Sequence, residues 1–179
     1  MIKGKKVSLR PLEKEDIYKI VEWRNQEGVR TNFLDSGLLS KYAQEAWYEQ
    51  YQKHFQQYQK YNDRLIFAIE AENQYIGITW LYDINHRNQN ATIGMLIGDK
   101  NFWGKGYGTD AIWTLTRYAF DEMNLRRING YIVEYNKGSL RMVEKNGYKV
   151  EGCMRKAYYA HSQFWDVKVV GILKEEFEQ

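Results

Sequence analysis

Three alternate glycines, Gly104, Gly106 and Gly108, are the residues whose spacing most directly suggests chemistry. They follow an apolar run that ends at Ile97 and precede residues 111–123, where apolar side chains recur at helical spacing. Glycine accepts positive φ angles and has no Cβ, so successive main-chain amides can point toward one ligand. Because such amides at a helix N-terminus favour an anion, the sequence predicts a phosphate or diphosphate site between a strand and a helix.

Three other interpretations of this loop are a P-loop, a dinucleotide-binding loop and a turn that binds no ligand. A P-loop requires Ser or Thr after its Gly-Lys pair, but Gly106 follows Lys105, so a P-loop is excluded. A dinucleotide fingerprint requires a third glycine where Thr109 stands, which leaves that motif as a weak alternative. A glycine-rich turn without a ligand explains the alternate glycines equally well. Lys100 and Lys105 favour the anion site because they place positive charge beside the loop.

Residues 103–108, W-G-K-G-Y-G, closely resemble the acetyl-CoA loop of the GNAT N-acetyltransferase superfamily, whose pattern is Gln/Arg-x-x-Gly-x-Gly/Ala. A tryptophan replaces the first residue of that pattern, as in the branch that contains the ribosomal-protein N-terminal and spermidine acetyltransferases. The resemblance implies that the ligand is acetyl-CoA. It assigns coenzyme contacts to Trp103, Gly104, Lys105, Gly106, Tyr107, Gly108 and Thr109.

A second segment, residues 136–148, resembles the superfamily pattern Asn-x-x-Ala/Ser-x-x-x-Tyr-Glu-Lys-x-Gly-Phe/Tyr. Its first residue is a good helix N-cap, and Asn146-Gly147 is a good left-handed C-cap. The resemblance adds coenzyme contacts from Asn136, Ser139, Met142 and Lys145.

Residues 91–98, A-T-I-G-M-L-I-G, form a β-prone run interrupted by glycines, which suggests a bulge or a close backbone approach. The resemblance implies that this strand separates from a parallel neighbour and that pantetheine enters the gap. It places Leu96, Ile97 and Gly98 along the pantetheine. A main-chain amide near Met95 is then the candidate donor to the oxyanion of the acyl-transfer transition state.

The whole chain is predicted to form one domain, residues 1–179, of class α/β (α+β) with the GNAT fold. We expect a mixed, mostly antiparallel sheet of six to seven strands with a central parallel, splayed pair, flanked by about four helices. The strands are predicted near residues 6–10, 64–70, 75–83, 91–98, 128–135, 148–159 and 164–173. The helices are predicted near residues 13–25, 40–61, 111–123 and 136–146.

The acceptor is less clearly indicated than the coenzyme. By the resemblance, the first helix overhangs the acceptor pocket, so Trp23, Arg24 and Asn25 are candidate contacts, although core packing and a helix end explain them equally well. Tyr82 is a further candidate. The run I-N-H-R-N-Q-N-A around His86 is similar to polyamine acetyltransferases and favours a polyamine, whereas the first hundred residues lack a dense acidic cluster to hold one. Amino sugars and protein N-termini stay open.

Both usual acid-base positions of the family are substituted. Val143 replaces the tyrosine acid and Thr92 replaces a strand glutamate. A thiol of pKa about 8.5 leaves without an acid, so the first loss is tolerable. Glu134 is the first candidate base and His86 the second; Ser139 is a candidate donor to the sulfur. The chain has no Cys/His or Ser/His pairing, which is consistent with direct attack by the amine.

Composition sets limits on the class of protein. The net charge of +3 and pI of about 8.8 are too mild to indicate nucleic acid. The single cysteine, Cys153, excludes an internal disulfide framework and is expected to be a partly buried hydrophobe. No apolar signal region or membrane-length run is present, so we predict a cytoplasmic protein. The three histidines lack metal-ligand spacing, so we predict no metal site.

Two other functions remain as alternatives, and the sequence leaves the oligomeric state open. The substituted acid-base positions suggest a non-catalytic acyl-CoA-binding regulatory domain. A dinucleotide-binding enzyme is the other alternative; it requires a wholly parallel sheet, whereas this sequence predicts hairpins toward both ends of the chain. The aromatic stripe Trp47, Tyr51, Phe55 and Tyr58 is typical of a helix core face, but part of it suits a pocket or a homodimer contact.

Overall fold

The computed structural model describes residues 1–58 and 63–177. Its centre is a mixed sheet of eight strands in the order β1-β2-β3-β4-β5-β6-β8-β7. The strands are β1 Ile2–Lys3, β2 Ser8–Pro11, β3 Leu65–Ala71, β4 Gln74–Asn85, β5 Asn90–Ile97, β6 Arg127–Val133, β7 Lys149–Ala160 and β8 Gln163–Leu173. The helices are α1 Asp16–Arg24, α2 Glu27–Arg30, α3 Lys41–Tyr58, α4 Tyr107–Asp121 and α5 Lys137–Glu144.

The parallel pair β5 and β6 lies at the centre of the sheet and separates along its length. Residue pairs join the two strands only at 90–92 and 127–129, although β5 continues to Ile97 and β6 to Val133. Every other neighbouring pair is antiparallel. The predicted central splayed pair is therefore confirmed.

The two faces of the sheet have separate apolar cores, because strand side chains alternate between faces. Ile93 and Ile97 of β5 pack with α4, whereas Leu96, between them, packs with α1 and α3. The largest cluster lies under α4 and includes Ile112, Leu115 and Phe120. The gap between β5 and β6 consequently opens between two well-packed layers.

The predicted hairpins are confirmed. Glu72 and Asn73 link β3 to β4 with φ angles of 52° and 59°, and His161 and Ser162 link β7 to β8 with 51° and 60°. Positive φ at both central residues matches the right-handed twist of the flanking strands.

The strand count was predicted slightly too low. The additional strand is β1, a two-residue segment that pairs with β2 and is too short to produce a sequence signal. A fifth helix, α2, is a single turn. The second predicted helix was expected to reach about residue 61; α3 is described to Tyr58, and the rest of that prediction lies outside the described residues.

Cys153 is exposed, so the expectation of a partly buried hydrophobe is wrong. It lies on β7, the edge strand of the sheet, where the neighbouring residues are also mostly exposed. Its Sγ atom lies 3.3 Å from the Asp166 carboxylate and 3.3 Å from the Lys168 ammonium. This polar contact raises the pKa of Lys168.

Among the described helices, none is long and apolar enough to cross a membrane. Within the same residues, no group of three or more His, Cys, Asp or Glu side chains is placed to hold a metal ion.

Candidate active site

A cavity of about 990 Å³ extends from the glycine loop through the gap between β5 and β6 to the first helices. Its loop half is lined by Met95, Leu96, Ile97, Phe102, Trp103, Gly104, Gly106, Gly108, Thr109, Asn136, Ser139, Met142, Val143 and Lys145. Its aromatic half is lined by Ile20, Arg24, Val29, Asn32, Phe33, Leu34, Asp35, Leu39, Gln44, Trp47, Arg64, Ile66, Ile78, Trp80 and Tyr82. The cavity thus joins most of the predicted coenzyme contacts to a second compartment.

The glycine loop has the geometry of an anion site. Gly104 and Gly106 adopt φ angles of 73° and 87°, and α4 begins directly after Gly106. The first hydrogen bond of α4 runs from the Asp110 amide to the Gly106 carbonyl over 3.0 Å. The amides of residues 107–109 therefore have no acceptor within the helix and are available to an anion.

Gly108 has a different role from the other two glycines. A Cβ there would lie 3.0 Å from both the Met142 sulfur and the Met95 methyl group. Its missing side chain therefore lets the first turn of α4 pack against α5 and β5, where the two halves of the cavity meet.

Lys6 is a component of the loop that sequence reasoning missed. Its ammonium donates to the Lys105 carbonyl over 2.9 Å, and a Cβ on Gly106 would lie 3.6 Å from it. It also lies 5.7 Å from the ring centre of Tyr107. Lys6 lies between β1 and β2 and therefore brings a positive charge to the loop from about a hundred residues earlier in the chain.

Asp110 holds that N-terminal segment in place. Its buried carboxylate accepts hydrogen bonds from the main-chain amides of Lys5 at 3.1 Å, Lys6 at 2.6 Å and Val7 at 2.9 Å. Bonds from amides to a carboxylate are stronger than neutral ones. Asp110 thereby links the first turn of α4 to the segment that carries Lys6.

Three loop residues with predicted coenzyme contacts have other contacts in the structure. The Trp103 indole donates to the Ile97 carbonyl over 2.7 Å and lines the cavity. Lys105 and Tyr107 do not line it: the Lys105 carbonyl accepts from Lys6, and the Tyr107 hydroxyl donates to Glu72. Tyr107 also packs edge-on against Phe102.

The predicted caps of α5 are confirmed. The Asn136 side chain accepts from the Ser139 amide over 3.1 Å, and Gly147 adopts a φ of 85°. The Asn146 amide group donates to the carbonyls of Thr109 and Met142, at 3.1 Å and 3.0 Å. This side chain ties α5 to the first turn of α4, so both segments with a family resemblance meet at the loop half.

The main chain of β5 presents polar groups to the gap. The Gly98 amide donates to the Ile76 carbonyl of the neighbouring strand over 2.9 Å, in register with the β4–β5 pairing. Because hydrogen-bonding direction alternates along an antiparallel strand, the residues two and four positions earlier also bond to β4. The main-chain groups of Met95 and Ile97 then point toward β6 and into the gap.

Gly98 and Trp23 contact each other and not the cavity. A Cβ on Gly98 would overlap the Trp23 ring, and Trp23 is buried beside Tyr75. Asn25 exchanges two hydrogen bonds of 2.8 Å with the main chain of Leu39. The pantetheine contact expected of Gly98 and the acceptor contacts expected of Trp23 and Asn25 are therefore not supported by their positions.

A chain of rings forms the floor of the aromatic half. The Trp80 indole covers Gly94, where a Cβ would overlap the ring. Phe33 stacks on Trp80 with ring centres 6.2 Å apart, and the Arg24 guanidinium lies 4.2 Å from the Phe33 ring centre. Tyr82, predicted from the sequence, also lines this half, and burial raises the pKa of its hydroxyl.

The two predicted bases lie outside the cavity lining. Glu134 follows the end of β6, beyond the point where the strands separate, and its carboxylate accepts from the Asp166 amide over 3.1 Å. It lines a separate cavity of about 640 Å³ with Arg155, Lys156 and Asp166. His86 is exposed in the turn between β4 and β5, at the end of β5 remote from the gap. Their proposed catalytic roles are not supported by position.

Comparison with known proteins agrees with this geometry. A family model described as the acetyltransferase (GNAT) domain matches residues 6–149. A probable N-acetyltransferase of Bacillus subtilis strain 168, YjcK, is 30% identical over the full length of both chains. The spermidine N(1)-acetyltransferase of Escherichia coli K12 is 26% identical over 88% of this chain and 81% of its own length.

Among solved structures, the chain is similar to the spermidine N-acetyltransferase of Vibrio cholerae, determined in complex with CoA and spermine. The TM-score is 0.86 at 23% identity, covering 97% of this chain and 99% of that one. At this identity the likeness concerns the fold.

Proposed function

This chain belongs to the GNAT acetyltransferases and is an acetyl-CoA-dependent N-acetyltransferase, and we propose that its acceptor is a small-molecule primary amine bound in the aromatic half of the cavity. One observation supports this proposal above the others. A single continuous cavity joins the glycine loop to a ring-lined compartment through the gap between β5 and β6. A diphosphate at one end would therefore leave its acyl arm directed toward the other.

The residues of the loop half suit an acylated coenzyme. The amides of residues 107–109 and the Lys6 ammonium would hold the diphosphate. Gly106 keeps the approach open, because its positive φ and missing Cβ leave the main chain exposed. The pantetheine arm would lie along Met95, Leu96 and Ile97, where the main-chain groups of Met95 and the Ile97 amide face the gap and can bond to its amides. Asn136, Ser139, Met142 and Lys145 would cover it from α5.

Acetyl transfer at this site is proposed to proceed by direct attack. The amine nitrogen forms a bond to the thioester carbonyl carbon, and the oxyanion accepts from the Met95 amide. The C–S bond then breaks and the thiolate leaves. Val143, buried at the usual tyrosine position, supplies no proton, which a thiol leaving group tolerates.

We propose that the ammonium proton leaves through water in the open cleft. Asp35 is the only carboxylate among the described lining residues, and it is exposed. Tyr82 stays protonated at neutral pH because burial raises its pKa, so it serves as a hydrogen-bonding group and not as the base.

The relatives named as spermidine acetyltransferases support a small-molecule amine as the acceptor class. The single-domain organisation, the cytoplasmic location and a homodimer stay predictions from the sequence.

Thiol release from acetyl-CoA, measured across polyamines, amino sugars, amino acids and short peptides, tests the proposal. Calorimetric titration with CoA and with NAD measures which of the two the protein binds. Turnover of a small amine together with CoA binding supports the proposal. Turnover of peptides alone would contradict the acceptor class, and CoA binding without any turnover would favour a regulatory domain.

A further inference from the structure

The aromatic half carries more positive than negative charge. Of its charged lining residues, Arg24 and Arg64 are cations and Asp35 is the single carboxylate. The Asp35 carboxylate accepts from the Gly37 amide of its own loop over 3.2 Å. A polyamine would therefore enter a compartment whose fixed charge opposes it.

Arg24 is the better placed of the two cations. One of its terminal nitrogens donates to the Asp35 carbonyl over 2.6 Å, while its Nε atom is buried without a hydrogen-bond acceptor among residues 1–58 and 63–177. Within the same residues, no carboxylate lies within 4.0 Å of the guanidinium. Burial lowers the pKa of Arg24, but a guanidinium keeps its charge at neutral pH.

Arg24 lines the cavity without a carboxylate partner among the described residues, and a planar carboxylate is the group that a guanidinium binds best. The face of Phe33 fixes the orientation of the fork from one side. Two ring contacts, from Arg24 to Phe33 and from Phe33 to Trp80, separate this cation from Gly94 on β5, where the strands open. A small molecule can span that interval.

We infer that the acceptor carries a carboxylate as well as its primary amine, and that Arg24 binds this carboxylate while the amine reaches the gap beside Gly94. This rests on the proposed function, which supplies the position of the acetyl group. The occupant is an amino acid-like molecule with an apolar body, because Ile20, Ile66 and Ile78 form much of the remaining wall. Arg64 is exposed and lines the same half, so its charge attracts the same anionic group.

The test measures kcat/KM for matched acceptors with the full-length protein. The panel contains leucine, phenylalanine, 4-aminobutyrate and 6-aminohexanoate, each beside its carboxamide, together with spermidine and a tripeptide. We expect kcat/KM for at least one carboxylate acceptor to exceed that for its carboxamide by about tenfold or more. The Arg24→Met variant should bring that ratio near one, while its CoA affinity stays unchanged.

Arg30→Met is the matched control. Arg30 donates to the Ser36 carbonyl over 2.9 Å, as Arg24 does to Asp35, but it does not line the cavity. Both variants loosen the same loop, so only the Arg24 change should alter the carboxylate preference. If Arg24→Met fails to fold, Arg24→Lys should keep the charge and lose most of the preference, because an ammonium lacks the planar fork.

Three outcomes would overturn the inference. Equal rates with carboxylates and carboxamides would do so, as would preference for spermidine or the tripeptide; in each case acetyl transfer itself would stand. Absence of turnover with every amine, despite CoA binding, would overturn the proposed function and the inference with it.

Discussion

The Trp80 indole lies directly over Gly94 of β5, so closely that a Cβ on Gly94 would overlap the ring. Trp80 and Gly94 are paired across β4 and β5, and both line the cavity where its two halves meet. The glycine therefore determines where the floor of the aromatic half lies relative to the gap.

Gly94→Ala should displace this ring and impair use of the acceptor. We expect kcat/KM for the acceptor amine to fall by about tenfold or more, because a displaced wall misplaces the attacking nitrogen. The affinity for CoA, measured by calorimetry, should change less than about twofold. Gly152→Ala is the control, since a Cβ there would meet only Val169 atoms at 3.8 Å or more. Unchanged acceptor kinetics in Gly94→Ala would contradict the assigned position of the acceptor.

Asp110→Asn should destabilise the fold and weaken coenzyme binding together. The substitution removes the negative charge to which three main-chain amides donate. It also replaces one carboxylate oxygen with an NH2 group, which is itself a donor and cannot accept from those amides. We expect a loss of about 2–3 kcal/mol in the free energy of unfolding, measured by denaturant titration. Asp121→Asn, at the exposed end of the same helix, should be nearly neutral. Equal stability of the two variants would refute the anchoring role.

Lys6→Gln should weaken CoA binding with little effect on stability. The ammonium reaches the glycine loop, so its loss should raise the Kd of CoA by about three- to tenfold and flatten its dependence on salt. Lys5→Gln removes the same charge one residue away, where the ammonium lies 5.7 Å from the Trp113 ring centre instead. The Lys6 variant should bind CoA more weakly than the Lys5 variant; equal affinities would contradict a role of Lys6 at the loop.

The pH profile should reflect the acceptor and not a side-chain base. An alkyl amine of pKa about 10 is mostly protonated at neutral pH, so kcat/KM should rise steadily between about pH 7 and 9. Tyr82, whose pKa is raised by burial, adds no inflection in that window. Glu134→Gln and His86→Gln should keep the same profile with kcat within about threefold. A fall of a hundredfold in either variant would restore that residue as the base.

Local signals in the sequence predicted the parts of this site that depend on neighbouring residues. The glycine loop, the Asn136 cap and the Gly147 cap each depend on residues within a few positions, so spacing and turn chemistry suffice. Lys6 and Asp110 meet across about a hundred residues, and no local pattern joins them.

Where the structure departs from the sequence expectations, the cause is also long-range packing. Trp23 was considered an acceptor contact because its helix overhangs the cavity, but Gly98 provides space for its ring on the other side. Cys153 was expected to be partly buried because a free cysteine usually behaves as a small hydrophobe, whereas edge position, a property of the whole sheet, decides its exposure. Arg24 was indicated by the family resemblance and lines the cavity, whereas Phe33 joins the site only because its loop brings it onto Trp80.

The central claim, that main-chain amides at the start of α4 bind the coenzyme diphosphate, is tested most directly by Gly106→Ala beside Gly147→Ala. The two glycines adopt φ angles of 87° and 85°, so both substitutions add the same backbone strain, of about 1 kcal/mol. Only Gly106 lines the cavity. Calorimetry should show at least a tenfold loss of CoA affinity in Gly106→Ala and none in Gly147→Ala; equal affinity in the two folded variants would contradict the account.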